Sequence, residues 1–223
     1  MIDPIELSIQ VRNQVSKNDK RKYYRFRKTR FYGGCATADC LGCNLRCAYC
    51  WGQKKVWNPN KYGEYYTSRE VCQKLVNMKF PLVRLSGGEP TISKTHLLRL
   101  IALIPEEMLF ILETNGILLD EDFVKKLSKF HNLYVRVSLK GVDESTFEKI
   151  TGAKGKYFSH QINALKLLKQ YNIKNRAALL PNFFTDEQIK SLGIPNLEYE
   201  QLIAYPFVVK NLERKGIKII RNS

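Results

Sequence analysis

The chain has 223 residues, 44% hydrophobic and 26% charged, a size and mix that suit one α/β domain with a full core. No apolar run approaches the roughly 20 residues of a membrane helix, and Met1-Ile-Asp-Pro-Ile-Glu lacks the order of a secretory signal, so a soluble protein in a cytoplasmic setting is expected. The formal net charge of +16 calls for nucleic acid, an anionic cofactor or an acidic partner, or else reflects a lysine-rich proteome.

Residues 1–30 read as a basic N-terminal extension and residues 31–223 as the core domain. Between positions 17 and 30 lie eight basic residues, Lys17, Lys20, Arg21, Lys22, Arg25, Arg27, Lys28 and Arg30, against the single acid Asp19. Tyr23, Tyr24 and Phe26 are interleaved, which suits phosphate contacts plus base stacking. A strand with Arg25 and Arg27 on one face and Phe26 on the other reads the same way.

From Phe31 onward strands and helices alternate. Residues 31–39 predict a first strand running into a cysteine-rich loop, and 52–67 is a looser stretch with Pro59, Asn60 and Gly63 as turn residues. Ser68 is the expected N-cap of a helix to about Asn77. A strand at 80–85 is followed by an amphipathic helix at 91–104, which Pro105 ends. Strands are then expected at 109–112, 133–139, 173–180 and 197–204, with helices at 120–129, 143–150, 158–171, 186–191 and 207–214 and a tail at 217–220. Such alternation implies an α/β fold with a parallel sheet and helices outside it. Right-handed crossovers curl six units of this kind into a partial (β/α)6 TIM-type barrel.

The chemistry concentrates in Cys43-Asn-Leu-Arg-Cys47-Ala-Tyr-Cys50, three thiols spaced CxxxCxxC and followed by Trp51. Three thiolates can hold three corners of a [4Fe–4S] cube and leave the fourth iron open to a small molecule. Structural zinc wants four closed ligands, and Cys40 is the thiol at hand for that alternative. Cys35 and Cys40, flanking the first strand, read as small buried residues or as a second metal site. The six cysteines are clustered rather than spread, which fits a reducing compartment and metal binding better than disulfides. Further polar motifs follow predicted strand ends, the rim where parallel β/α folds bind ligands: Ser86-Gly87-Gly88-Glu89-Pro90, Glu113-Thr114-Asn115-Gly116 and Val137-Ser138-Leu139-Lys140-Gly141. Glycines there let the backbone approach a ligand closely, and Glu89 can accept from an ammonium group.

Taken together, residues 31–205 resemble the radical S-adenosylmethionine (SAM) superfamily, with the thiol loop similar to its CxxxCxΦC signature and Tyr49 as the aromatic residue. The resemblance implies a [4Fe–4S] cluster on Cys43, Cys47 and Cys50. It implies SAM bound by Gly87, Gly88 and Glu89 at its amino group and by Thr114 and Asn115 near its carboxylate and ribose. Ser138 is expected on a ribose hydroxyl and Lys140 on the methionine carboxylate. Reductive cleavage of SAM would then give a 5′-deoxyadenosyl radical that abstracts a hydrogen, a step that needs no general base, so no catalytic side chain is assigned.

The Ser-x-Lys form, with Thr151-Gly152-Ala153 downstream, looks closest to activases of glycyl radical enzymes, which implies a protein substrate and an electron donor such as ferredoxin or flavodoxin. Activase-like enzymes carry a histidine near the adenine, and Ala204-Tyr205-Pro206 has none. An RNA-modifying enzyme that holds tRNA or rRNA with the basic extension is the alternative, and a non-catalytic metal-binding module is a third.

Overall fold

The computed structural model describes residues 1–220. In chain order it holds α1 (Pro4–Val15), β1 (Ser16–Lys17), β2 (Lys20–Thr29), β3 (Cys35–Cys40), α2 (Gln53–Val56), β4 (Glu64–Thr67), α3 (Ser68–Val76), β5 (Leu82–Gly87), α4 (Lys94–Leu103) and β6 (Leu109–Thr114). There follow α5 (Glu121–Leu127), β7 (Leu133–Leu139), α6 (Glu144–Thr151), α7 (Phe158–Gln170), β8 (Lys174–Leu179), α8 (Asp186–Ser191), β9 (Glu198–Tyr199) and α9 (Pro206–Arg214). The strands form one sheet in the order β1-β2-β3-β5-β6-β7-β8-β9, with β4 paired to the outer part of β2. From β3 to β9 every pairing is parallel, which is the expected partial (β/α)6 barrel, unclosed.

Period-two alternation gives the sheet two unlike faces. Ala36, Ala38, Val83, Leu85, Phe110, Leu112, Val135, Val137, Ala177 and Leu179 point to the helices and join one buried core. Their neighbours Thr37, Asp39, Arg84, Ser86, Glu113, Arg136 and Ser138 line the other, concave face.

Several boundaries differ from the sequence expectation, each for a local reason. Residues 20–29 are a sheet strand, antiparallel to β3 and β4. Their alternation is broken by a bulge, because Tyr23 pairs with Cys40 and Arg25 with Asp39, leaving Tyr24 as the extra residue. Tyr23 consequently faces the core, stacked on Phe26 with centroids 5.5 Å apart, while Arg25 and Arg27 face the concave side. The predicted first strand starts late: Phe31–Gly33 is a 3-10 turn with Tyr32 at φ 55, and Gly33 and Gly34 at φ 78 and 123 complete the reversal into β3.

The N-cap of α3 is Thr67, not Ser68. Its hydroxyl accepts from the Glu70 amide at 3.2 Å, and the Glu70 carboxylate accepts from the Thr67 amide at 2.7 Å. The predicted strand at 197–204 shrinks to the two residues of β9, since the chain beyond leaves the sheet and Pro206 opens α9. No helix among the described residues is long and apolar enough to cross a membrane.

Candidate functional site

The thiol loop leaves the C-terminal end of β3 and is held by backbone bonds on both sides. Arg46 and Ala48 donate their amides to Thr151 and Ile150 carbonyls at 3.2 and 2.8 Å, while the Gly42 amide donates to Val56 at 3.1 Å. Cys47 packs in a small apolar cluster with Leu45, Ile117, Phe147, Ala153 and Tyr157, and Cys43, Tyr49 and Cys50 lie against it.

Burial pushes all three thiols up, that of Cys50 to about 12. The loop thiols also raise one another, Cys43 under the influence of Cys47 and Cys50, so any one thiolate is unfavourable beside the next. A cationic inorganic cluster removes that conflict, which is why this donor set fits one.

Cys40 does not join the loop thiols. It is fully buried in the helix-side core, where Arg21 Nη2 donates to its sulfur at 3.5 Å. Cys35 has odd parity on the same strand and meets the Thr29 hydroxyl at 3.0 Å, so the two thiols point to opposite faces and cannot share a metal.

The Gly-Gly-Glu turn crosses the root of the thiol loop. The Gly88 amide donates to the Cys40 carbonyl at 2.8 Å and the Glu89 amide to the Gly42 carbonyl at 2.7 Å. A Cβ on Gly88 would sit 2.1 Å from the Gly42 oxygen, and Gly87 has φ +94, so both glycines are required by this backbone crossing itself.

Glu89, 1% exposed, is a hub. Its Oε1 accepts from the Thr91 amide at 3.1 Å and from the Thr91 and Thr114 hydroxyls, both at 2.7 Å. Its Oε2 accepts from the Asn115 amide at 2.7 Å. The carboxylate thus locks the turn after β5 to the turn after β6, and only Oε2 keeps acceptor capacity.

Asn115 extends the tie to the thiol loop by donating Nδ2 to Asn44 Oδ1 at 2.8 Å. Asn44, fully buried beside Cys43, is left with an Nδ2 that has no protein partner. An orphaned buried donor at this place fits a bound polar group such as a carboxylate.

Ser138 and Lys140 stand at the end of β7. Lys140 Nζ donates to Ser138 Oγ at 2.5 Å, and Ser138 Oγ donates to Glu200 at 2.9 Å. Burial alone would push the Lys140 ammonium down, but its interactions with Tyr49, Glu200 and Cys47 outweigh burial and hold it above its usual range. Lys140 Nζ lies 5.5 Å from the Tyr49 ring centre, and Tyr49 itself stacks on Phe183 at 5.6 Å. All eleven predicted residues therefore sit at one end of the parallel strands or on the loop above them.

Sequence reasoning missed three residues here. Asn44 is hidden inside the thiol motif, Gln161 lies on α7 and Glu200 follows β9. Fully buried Gln161 donates to the Asn115 carbonyl at 2.5 Å and the Ser138 carbonyl at 3.2 Å, and its oxygen accepts the Lys140 amide at 3.0 Å. Only Glu200 had a signal, its period-two spacing from Glu198. A cavity of about 730 Å³ between α1 and the N-terminal end of α4 contains none of the loop thiols.

Comparison with known proteins adds to this geometry. A family model described as the Radical SAM superfamily matches residues 40–192, more than half of the chain. The chain is 35% identical over 116 residues to the Fe-coproporphyrin III synthase of Methanosarcina barkeri, covering 52% of this chain and 29% of that protein. It is 32% identical over 174 residues to a GTP 3′,8-cyclase of Clostridium perfringens, covering 74% and 51%. It thus spans about half or less of the length of these relatives. Among solved structures, anSMEcpe with bound AdoMet and a Cp18Cys peptide has a TM-score of 0.58 at 20% identity, over 75% of this chain and 50% of that one, a likeness of fold.

Proposed function

The chain belongs to the radical SAM superfamily, enzymes that bind a [4Fe–4S] cluster and SAM, and on that premise we propose that it acts on a protein substrate in the manner of an activase. The non-catalytic metal-binding module, which the thiols alone would also fit, is set aside by this membership. When bound, the two groups supply a 5′-deoxyadenosyl radical that takes a hydrogen atom from the substrate, with the electron delivered by a donor such as ferredoxin or flavodoxin.

The protein's part is to hold and aim. Cys43, Cys47 and Cys50 carry the cluster. Lys140 would offer its ammonium to the SAM carboxylate, and Ser138, hydrogen-bonded between Lys140 and Glu200, would meet a ribose hydroxyl. Glu89 fixes the two turns that border the amino group.

The observation that carries this reading is the continuous hydrogen-bonded tie from Asn44 in the thiol loop through Asn115 to Glu89, with Gln161 linking the same turn to Ser138 and Lys140. Three loops distant in sequence are set in one register with no mobile link between them.

A protein substrate is favoured over RNA because four of the eight basic residues at positions 17–30 are held by partners within the chain, while Lys17, Lys20, Lys28 and Arg30 stay exposed. Arg21 is 1% exposed, Arg25 and Arg27 are paired with Asp39, and Lys22 Nζ donates to the Pro59 carbonyl at 2.7 Å. Anaerobic reconstitution followed by EPR of the reduced protein tests the cofactor assignment. About four irons per chain and a SAM-induced change in the spectrum are expected, both absent when any of the three loop cysteines is replaced by Ala. Zinc in place of iron would refute it.

A further inference from the structure

The charges on the concave face are unevenly shared. Arg25 and Arg27 both direct Nε to the same oxygen of Asp39, at 2.7 and 2.8 Å, so two guanidiniums divide one carboxylate that is itself 1% exposed. On the opposite side Arg136 faces Glu113, Glu198 and Glu200 at 3.7, 2.7 and 2.8 Å. The β2–β3 side carries surplus positive charge, whereas the carboxylates toward β9 are matched by Arg84, Arg136 and Arg176.

Two unused donors lie at the positive end. Arg25 Nη2 and Tyr24 Oη are both buried and without a partner among the described residues. Tyr24 is the extra residue of the β2 bulge, a device that re-aims side chains beside functional sites. The Arg25 guanidinium lies 5.5 Å from the Tyr24 ring centre and 5.6 Å from that of Trp51. Trp51 directly follows the cluster ligand Cys50 and keeps 37% of its surface exposed. Buried donors left unpaired are costly, and a positive, aromatic-walled corner next to the cluster loop gives them a use.

We propose that this corner is an oxyanion subsite, in which a carboxylate or phosphoryl group of the substrate accepts from Arg25 Nη2 and Tyr24 Oη while Trp51 walls it on the side of the cluster loop. The proposal rests on the radical SAM reading only in calling the bound molecule a substrate; the anion site itself is independent of SAM cleavage. It assigns a purpose to the interleaved arginines and tyrosines of the segment at positions 17–30 that contact with RNA would otherwise claim.

Titration calorimetry of the cluster-reconstituted full chain, at constant ionic strength and without SAM or reductant, tests it with inorganic phosphate and with succinate as probes. Saturable binding of one anion per chain is expected, and the tighter probe identifies the group. Arg25→Gln leaves Arg27 on Asp39 and should weaken binding tenfold or more. Lys28→Gln removes the same charge from the opposite face of the same strand, where Lys28 lies over Phe80, and should change it less than twofold. Should Arg25→Gln fail to fold, Tyr24→Phe removes only the hydroxyl and should still weaken binding severalfold. Binding of neither probe overturns the proposal, as does an equal effect of Arg25→Gln and Lys28→Gln, which would mark diffuse attraction to a +16 surface. Loss of 5′-deoxyadenosine formation with anion binding intact would strike the radical SAM reading alone.

Discussion

The two faces of one sheet solve opposite problems. On the helix side, Phe110, Leu112, Val135 and Val137 are completely buried and exchange no charge with anything. One residue further along each strand, the concave side carries Arg84, Glu113 and Arg136 in a chain of ion pairs with Glu198 and Glu200. The difference teaches where stability and function divide: the first face is packed for its own sake, whereas the second holds charged groups in fixed positions and gains little from doing so.

The faces should therefore break differently. Phe110→Ala, a deletion in the closed core, should destabilise by about 4 kcal/mol in denaturant unfolding. Glu113→Ala should cost about 3 kcal/mol, because it strands Arg84, whose Nη2 it holds at 2.5 Å, and frees Arg136. Adding Arg84→Met to Glu113→Ala should restore part of that loss, since an apolar replacement no longer needs a partner. No second mutation of this kind can mend Phe110→Ala. A double mutant as unstable as the sum of its parts would show that the concave pairs are not coupled.

Acid should separate the faces by the window in which each fails. His96, on the helix side, is pushed down to about 4 by burial, with Tyr23 Oη 2.9 Å from its Nε2. A folded pKa below the unfolded value of about 6.5 means stability that is full above 6.5 and is lost as pH falls toward 4. Burial alone would raise the Glu113 carboxyl, yet Arg84 foremost and Arg136 hold it below the usual carboxylate range. Its contribution is therefore kept until pH drops below that range. Melting temperatures between pH 7 and 3 should fall in two stages, with His96→Leu flattening the upper one and Glu113→Gln the lower. A single stage unaffected by His96→Leu would contradict this.

How much of this was legible in the sequence follows the same division. The strand 133–139 and the helix 186–191 were readable to the residue because their periodicity is undisturbed and their flanks carry turn or capping residues. The thiol loop was readable because its chemistry depends on local spacing. β2 was readable only as one of two alternatives, with Arg25 and Arg27 opposite Phe26 as found, because a bulge interrupts its alternation and its arginines find Asp39 only in three dimensions. Gln161 was not readable, and Glu200 only through its spacing from Glu198, for they act through partners 21 to 64 positions away. Of the glycines in the turn after β5, Gly87 takes the positive φ that glycine favours, while the tight crossing of Gly88 over Gly42 has no local signal in the sequence.

Cys43, Cys47 and Cys50 would hold the cluster, and the loops locked around them would place SAM for reductive cleavage. The most direct test is 5′-deoxyadenosine formed from SAM with dithionite under strict anaerobiosis, comparing the reconstituted wild type with Cys47→Ala. The account predicts steady formation by the wild type and none above background by Cys47→Ala. A wild type with a full complement of iron and sulfide that leaves SAM intact would contradict it.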